Sequence, residues 1–272
     1  MNIKSIFFLL SSLFIFANCS TISLTIPGAT IESPEVAGKG KRELGPSAEP
    51  AREIEYSDSV NARPPDLENA REGGATHTIL HQARFGLGEK FELGGEMGID
   101  DSSSGDIQYA FMIVSKFQLF GANKKSAKRG DFSGGLFARL GYVSADGSGD
   151  QSSTFGPGGF PWDATVRAYY SMLGISFGYR VADPLLVYLS GSYQNILSKI
   201  EVNQSPANDN SDPGGSFSRD RNGNSTAAGL GMQFRLGKIF YFHGKLMMFH
   251  FSIDGIEDEN TFFGGGGFHF YF

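Results

Sequence analysis

Alternation of apolar and polar residues runs through the chain from residue 76 onward and constrains the fold more than any other feature. Between residues 107 and 120, one face is almost wholly aromatic or aliphatic, whereas the other carries glutamine, lysine and smaller side chains. Similar alternation recurs at 91–100, 132–142 and 227–236. A period of two residues is typical of β-strands whose two faces meet different surroundings. The chain is therefore predicted to be all-β.

Nine strands are clear from this alternation, and a tenth is weaker. The nine lie at about 77–87, 91–100, 106–120, 132–145, 164–180, 185–202, 225–236, 239–253 and 261–272. The tenth is placed at 34–44, where Val36, Gly38 and Gly40 would form a poor apolar face. An even number of strands brings both ends of a single-chain bacterial barrel to the same side. The expected fold is a closed antiparallel up-and-down transmembrane β-barrel of ten strands, with eight as the alternative.

The direction of the apolar face separates a membrane barrel from a soluble lipocalin-like barrel, which turns its apolar face inward. The polar face of this chain is rich in Gly, Ser and Ala, which suits a crowded lumen. The chain ends with Phe268, Phe270 and Phe272 on one face, and this pattern resembles the C-terminal assembly signal of bacterial outer-membrane β-barrel proteins. The resemblance implies outer-membrane lipid and the barrel-assembly machinery as partners. A formal charge of -6 gives no basic surface for nucleic acid.

The first twenty residues predict export. A lysine at position 4 is followed by a short apolar run and then by Cys19, a pattern that resembles a spirochaete-type lipoprotein signal peptide. The resemblance implies that residues 1–18 are removed and that Cys19 is acylated; the alternative is ordinary signal cleavage with Cys19 incidental. Residues 19–32 are predicted to form a lipid-anchored tether and 33–272 the barrel. The expected location is the outer membrane, with a periplasmic N-terminus.

Connection lengths assign the two ends of the barrel. Short periplasmic turns are predicted at 88–90, 121–131, 181–184 and 237–238. Longer extracellular loops are predicted at 46–74, 101–105, 146–163, 203–224 and 254–260. This difference in length is typical of outer-membrane barrels.

Seven charged residues fall on the polar face and are expected to form a network in the lumen. They are Arg84, Glu92, Glu96, Lys116, Arg139, Arg180 and Arg235. Charges taken out of bulk water need partners, so the favoured interpretation is a salt-bridged filling of a narrow barrel. The alternative is a selective conduit lined by the same charges.

The length of the turn before the strand at 239–253 decides which of its side chains face the lumen. A three-residue turn before it would point His243 and Lys245 inward, whereas a two-residue turn would place Lys245 in lipid at a cost of about 2–4 kcal/mol. We predict the three-residue turn. An irregularity is expected nearer the outer end, where Phe249 and Phe251 would otherwise face inward.

Catalytic patterns are weak. The motif G-x-S-x-G around Ser176 lies inside a long strand, not at the strand-to-helix turn that a nucleophile elbow needs. Polar residues expected near the outer rim are His77, His81, Asp100, His250 and Asp254. No catalytic residue, metal site or cofactor is predicted.

Three functions remain open from the sequence. The first is a non-enzymatic envelope barrel that presents the loops at 46–74, 146–163 and 203–224 for surface contacts. The second is a narrow channel for small polar solutes. The third is an enzyme at the outer rim, a protease or a lipid-modifying enzyme.

Overall fold

The computed structural model describes residues 21–57, 70–101, 107–152, 159–204, 215–255 and 258–272. Within these ranges the chain forms eleven strands. They are β1 (Thr21–Pro27), β2 (Arg42–Ser57), β3 (Ala70–Gly86), β4 (Phe91–Asp101), β5 (Ile107–Phe120), β6 (Phe132–Ser152), β7 (Gly159–Ala182), β8 (Leu185–Gln204), β9 (Gly215–Leu236), β10 (Phe240–Ile253) and β11 (Glu259–Tyr271). The described residues include no helix long and apolar enough to cross a membrane.

Strands β2 to β11 form a closed antiparallel barrel. Each pairs with the next along the chain, and β11 returns to β2 through the pairs Gly267–Ser47, Phe270–Leu44 and Tyr271–Glu43. The predicted ten-stranded barrel is therefore confirmed, as are nine of its strands. The tenth strand is β2 and not 34–44, so the loop predicted at 46–74 is wrong over most of its length.

The reason for this error lies in the composition of β2. Its inward face carries Glu43, Ser47 and Glu49, and Pro46 and Pro50 interrupt its outward face. Proline is disfavoured inside central strands, so the stretch has the composition of a loop. Inside this barrel the polar face meets charged partners, and those contacts outweigh the weak strand propensity.

One end of the barrel has short turns, and the other has the longer connections. The turns at 87–90, 121–131, 183–184 and 237–239 agree with the predicted periplasmic turns to within two residues. At the other end, strands occupy much of the predicted loops 146–163 and 203–224, because β6 to β9 contain 20–24 residues each. A membrane crossing needs about 9–11 residues. The wall at β6 to β9 is therefore about twice as tall as a membrane crossing requires.

Residues 22–38, which include most of the predicted lipid-anchored tether at 19–32, are buried inside the barrel, and the lipid anchor stays a prediction. Strand β1 runs antiparallel to β2 from Thr21–Ser57 to Pro27–Ala51, which places residue 21 at the loop end. The chain then descends through the lumen and reverses at the turn end, where Gly38 and Gly40 have positive φ angles of 88° and 75°. We call residues 21–37 the luminal segment. Because this segment crosses the lumen, residue 21 lies at the loop end and Phe272 at the turn end; the predicted position of the N-terminus itself lies outside the described residues.

The luminal segment also explains the register of β10. A three-residue turn precedes β10, and Lys245 is buried inside, as predicted. The predicted irregularity is absent, because β10 pairs with β9 without a shift from Phe240 to Ile253. Phe249 and Phe251 face inward instead, where Ile22, Leu24, Ile26 and neighbouring wall residues form an apolar cluster with them. The loop half of the lumen is therefore mainly apolar, although Arg52 and Arg221 are buried there, and its turn half is mainly polar.

Candidate functional site: the filled lumen

Glu32 is the centre of the polar half of the lumen. Its carboxylate accepts two hydrogen bonds from Arg84, Nη1 to Oε2 at 2.9 Å and Nη2 to Oε1 at 2.8 Å. Arg139 also contacts this carboxylate through Nη2, and Lys116 Nζ lies 3.6 Å from Oε2. Three cations from three strands of the wall thus meet on one carboxylate of the luminal segment.

The remaining charges of this cluster come from the wall. Arg84 Nη2 contacts Glu96 at 2.9 Å, and Lys116 Nζ contacts Glu92 at 3.6 Å. Glu49 of β2 accepts a hydrogen bond from Lys245 at 2.6 Å. Four cations face four carboxylates, and we call this set the Glu32 cluster. Its members are Glu32, Glu49, Arg84, Glu92, Glu96, Lys116, Arg139 and Lys245. Buried charges are tolerated when they are balanced in this way.

Two further ion pairs hold the chain near the turn end. Glu35 binds Arg180 through two hydrogen bonds, from Nε at 2.9 Å and from Nη2 at 2.5 Å. Lys124, in the long turn, donates to both oxygens of Glu43 at 2.6 and 2.8 Å. Burial alone would lower the pKa of Lys124, but the negative charges of Glu43 and Glu92 and the hydrogen bonds to Glu43 together outweigh it, and the pKa is raised. Lys124 is therefore held in its charged form.

Wall side chains also satisfy the backbone of the luminal segment, which needs partners because it is buried away from water. Gln108 both donates to Thr25 O and accepts from Thr25 N, each at 2.6 Å. Ala37 N donates to Glu92 at 2.7 Å, and Tyr271 donates to Ala37 O at 2.7 Å. Further contacts come from Gln118, Ser190, Ser192, Gln194 and Ser225. The segment is fixed along its length by interactions that span the lumen.

The space left in the polar half is small. One polar cavity of about 30 Å³ lies between the Glu32 cluster and Glu43, His243 and His269. A volume of that size holds about one water molecule. In the part of the chain that the structure describes, the luminal segment fills the interior where a conduit would run.

The structure places six of the seven predicted lumen charges inside the barrel, namely Arg84, Glu92, Glu96, Lys116, Arg139 and Arg180. Arg235 is only half-buried, near the turn end. The sequence does not predict six members of the charge network: Glu32, Glu35, Glu43, Glu49, Lys124 and Lys245. For Lys245 it predicts the inward orientation but not the ion pair. The predicted set contains five inward cations but only two inward carboxylates. This excess of positive charge indicates that further carboxylates face the lumen.

The polar residues of the outer rim do not form one site. His77 and His81 lie on the outward face of β3, and His250 faces away from the lumen and contacts Asn260 Oδ1 at 3.0 Å. The side chain of Asp100 lies outside the described residues, and Asp254 is exposed. Among the described residues, no group of three His, Cys, Asp or Glu side chains is arranged to hold a metal ion. Ser176 is buried on the inward face of β7.

No protein-family model and no curated protein matches the chain. Among solved structures, the outer-membrane protease OmpT from Escherichia coli is 10% identical, covers 94% of this chain and 98% of its own, and has a TM-score of 0.44. A monoaromatic hydrocarbon channel, CymD, is 8% identical, covers 86% and 89%, and has a TM-score of 0.31. The toluene transporter TodX of P. putida is 10% identical, covers 85% and 67%, and has a TM-score of 0.27. Identities and TM-scores this low carry no inference about activity or ligand.

Proposed function

We propose that this chain is a non-enzymatic outer-membrane barrel, closed by its own N-terminal segment, which serves as an envelope protein that presents its tall loop end for surface contacts. The observation that carries the proposal is the Glu32 cluster, which binds the luminal segment to three strands of the wall, β3, β5 and β6. A barrel sealed by balanced ion pairs is suited to a structural or adhesive role and not to conduction.

The membrane location is supported by the outward face of the wall. Large apolar side chains are exposed on every strand from β3 to β11, among them Ile79, Phe111, Leu140, Leu173, Leu189, Leu230, Leu246 and Phe270. Exposed apolar surface this extensive needs an apolar environment. Phe268, Phe270 and Phe272 also lie outward at the turn end, where we infer that the barrel-assembly machinery recognises them.

We expect the wild-type protein to be silent in a planar lipid bilayer, because the luminal segment fills the polar half of the described lumen and the cavity beside the Glu32 cluster holds about one water. Single-channel recording of the purified barrel tests this directly. Discrete openings of the wild type that change when Arg139 is neutralised would instead support the narrow channel as its function.

We propose that the turn end is periplasmic, as in other outer-membrane barrels, whose periplasmic turns are short. A cysteine in the Asn203→Cys variant, near the loop end, should then react with a membrane-impermeant maleimide on intact cells. A cysteine in the Lys128→Cys variant, in the long turn, should react only after the outer membrane is permeabilised. Both residues are exposed in the structure, so the reverse pattern of labelling would overturn the orientation.

The acylation of Cys19 also remains a proposal, and the structure changes what it would mean. Two residues of chain span at most about 7 Å, so an acyl group on Cys19 would lie near Thr21, at the loop end. The lipid would then anchor the chain on the cell surface and not in the periplasm. Mass spectrometry of the mature protein should show an acylated Cys19 as its first residue; an unmodified cysteine would overturn this part of the proposal.

A further inference from the structure

The barrel wall has a gap between β2 and β11. Backbone pairing of the two strands ends at Ser47–Gly267 within their described residues, and the strands stay close as far as Ala48, whose carbonyl oxygen would lie 2.9 Å from a Cβ on Gly265. Nearer the loop end, from Ala51 onward, β2 pairs with β1 and not with β11. The strands meet again through an ion pair, with Arg52 Nη1 3.3 Å from Glu259. We call the opening between these two closures the lateral window.

The lateral window leads to a recess of about 370 Å³ whose lining is mixed, with polar and apolar groups in similar proportion. Three of its ten lining residues are polar, namely Thr76, His77 and Thr261. Its main apolar lining residues are Ala48, Pro50, Ala51, Phe249, Phe262 and Phe263. Phe262 is 79% exposed, whereas Phe249 is 1% exposed. The recess therefore extends from the outer surface to a buried residue of the apolar cluster in the lumen.

The backbone at the window is suited to an apolar occupant. Pro50 has no N–H, and its carbonyl accepts a hydrogen bond from Gly28 N at 2.9 Å. Because the N–H and C=O of one strand residue point to the same neighbour, the missing N–H of Pro50 falls on the edge of β2 that faces the luminal segment, next to the window. An unpaired N–H in hydrocarbon would cost several kcal/mol, and proline removes one such group from this edge.

The window also lies at the depth of the hydrocarbon. Ala48 and Ala51 follow Arg42, the first residue of β2 at the turn end, by six and nine residues. A tilted strand crosses the hydrocarbon in about 9–11 residues. Exposed Ile79, Leu246 and Met248 on β3 and β10, the strands that flank β2 and β11, continue the apolar surface around the opening.

We propose that the lateral window binds one acyl chain of a membrane lipid, which enters the wall between β2 and β11 and contacts Phe249. This rests on the membrane location proposed above. The volume lies at the lower end of the ~300–1,000 Å³ of small-molecule sites, which suits a single chain. The site is reached from the bilayer and not from the lumen.

Quenching of tryptophan fluorescence by brominated lipid tests the site. Trp162, the single tryptophan of the chain, is first replaced by Phe, and the barrel is reconstituted in phosphatidylcholine with dibrominated acyl chains. The Phe249→Trp variant should lose fluorescence relative to unbrominated lipid, although this position faces the interior. The Phe137→Trp variant, equally buried behind an intact part of the wall, should not.

A second substitution closes the window. A Cβ on Gly264 would meet no atom within 4 Å, so Gly264→Phe can fill the recess without distorting β11. It should abolish the quenching of the Phe249→Trp variant. Gly95→Phe on β4, where a Cβ would make only one contact, at 3.7 Å, is the matched control and should leave the quenching unchanged.

The outward-facing Leu230→Trp variant separates the two ways in which the proposal can fail. If it is quenched while Phe249→Trp is not, the acyl site is wrong and the membrane location stands. If Leu230→Trp is not quenched either, the membrane location is wrong, and the acyl site with it. Quenching of Phe249→Trp that persists with Gly264→Phe would also overturn the site.

Discussion

Replacing Glu32 with glutamine should open the lumen and destabilise the barrel more than any other single change of similar size. The substitution removes one of four carboxylates from the Glu32 cluster and leaves four cations facing three. Removing one partner of a buried ion pair costs about 3–5 kcal/mol, because the remaining charge is uncompensated. We expect the luminal segment to detach in part, which gives bilayer conductance that the wild type lacks, and a lower midpoint of unfolding in urea.

The exposed Glu201 provides the matched control. It contacts Lys199 at 2.6 Å and Arg167 at 3.4 Å on the outside of the wall. Exposed ion pairs contribute little to stability because water screens them, so Glu201→Gln should remain silent and unfold like the wild type. A Glu32→Gln variant that behaves like this control would show that the cluster does not hold the segment in place.

The ion selectivity of these openings provides a further test. In the Glu32→Gln variant the Glu32 cluster carries one excess positive charge, so the conductance should favour anions. Glu32→Asp keeps the charge on a shorter side chain and should reduce both the openings and the loss of stability. If Glu32→Gln and Glu32→Asp give openings of equal conductance, the cause would be lost packing around residue 32 and not the lost charge.

The barrel itself was predictable from the sequence because its outward face is periodic. Nine strands follow an alternation that lipid outside and a crowded lumen impose together. The alternation fails where both faces meet polar surroundings. The parts of β6 to β9 nearest the loop end are rich in Gly, Ser and Asn, so their sequence predicts loops, although they continue the wall.

The luminal segment could not be found in this way, since its environment is set by the barrel that surrounds it. Residues 28–37 form no strand, and their hydrogen bonds to the wall reach partners 22 to 234 positions away along the chain, as for Gly28 with Pro50 and Ala37 with Tyr271. Local patterns carry no information about such partners. The inward charges indicated a filled lumen, but not that the filling is the chain's own N-terminus.

Exchanging the charges of Glu35 and Arg180 should test whether the luminal segment docks through specific pairs. Each single reversal, Glu35→Arg or Arg180→Glu, brings two like charges together in a site where both side chains are 1% exposed. Each should lower the free energy of unfolding by about 3–5 kcal/mol. The double variant restores an ion pair and should recover most of that loss, although Arg180 also donates to Asp183 O at 2.5 Å and that bond is lost.

The coupling energy between the two positions is the decisive quantity. Residues in direct contact show coupling of about 0.5–3 kcal/mol in double-mutant cycles, whereas distant residues are additive. The cycle is measured by urea unfolding of the four proteins in the same lipid, with bilayer recording of each. The single variants should conduct and the double variant should be silent again. Additive losses, with conductance in the double variant, would mean that Glu35 does not pair with Arg180 and that the segment is not held at the turn end by this contact.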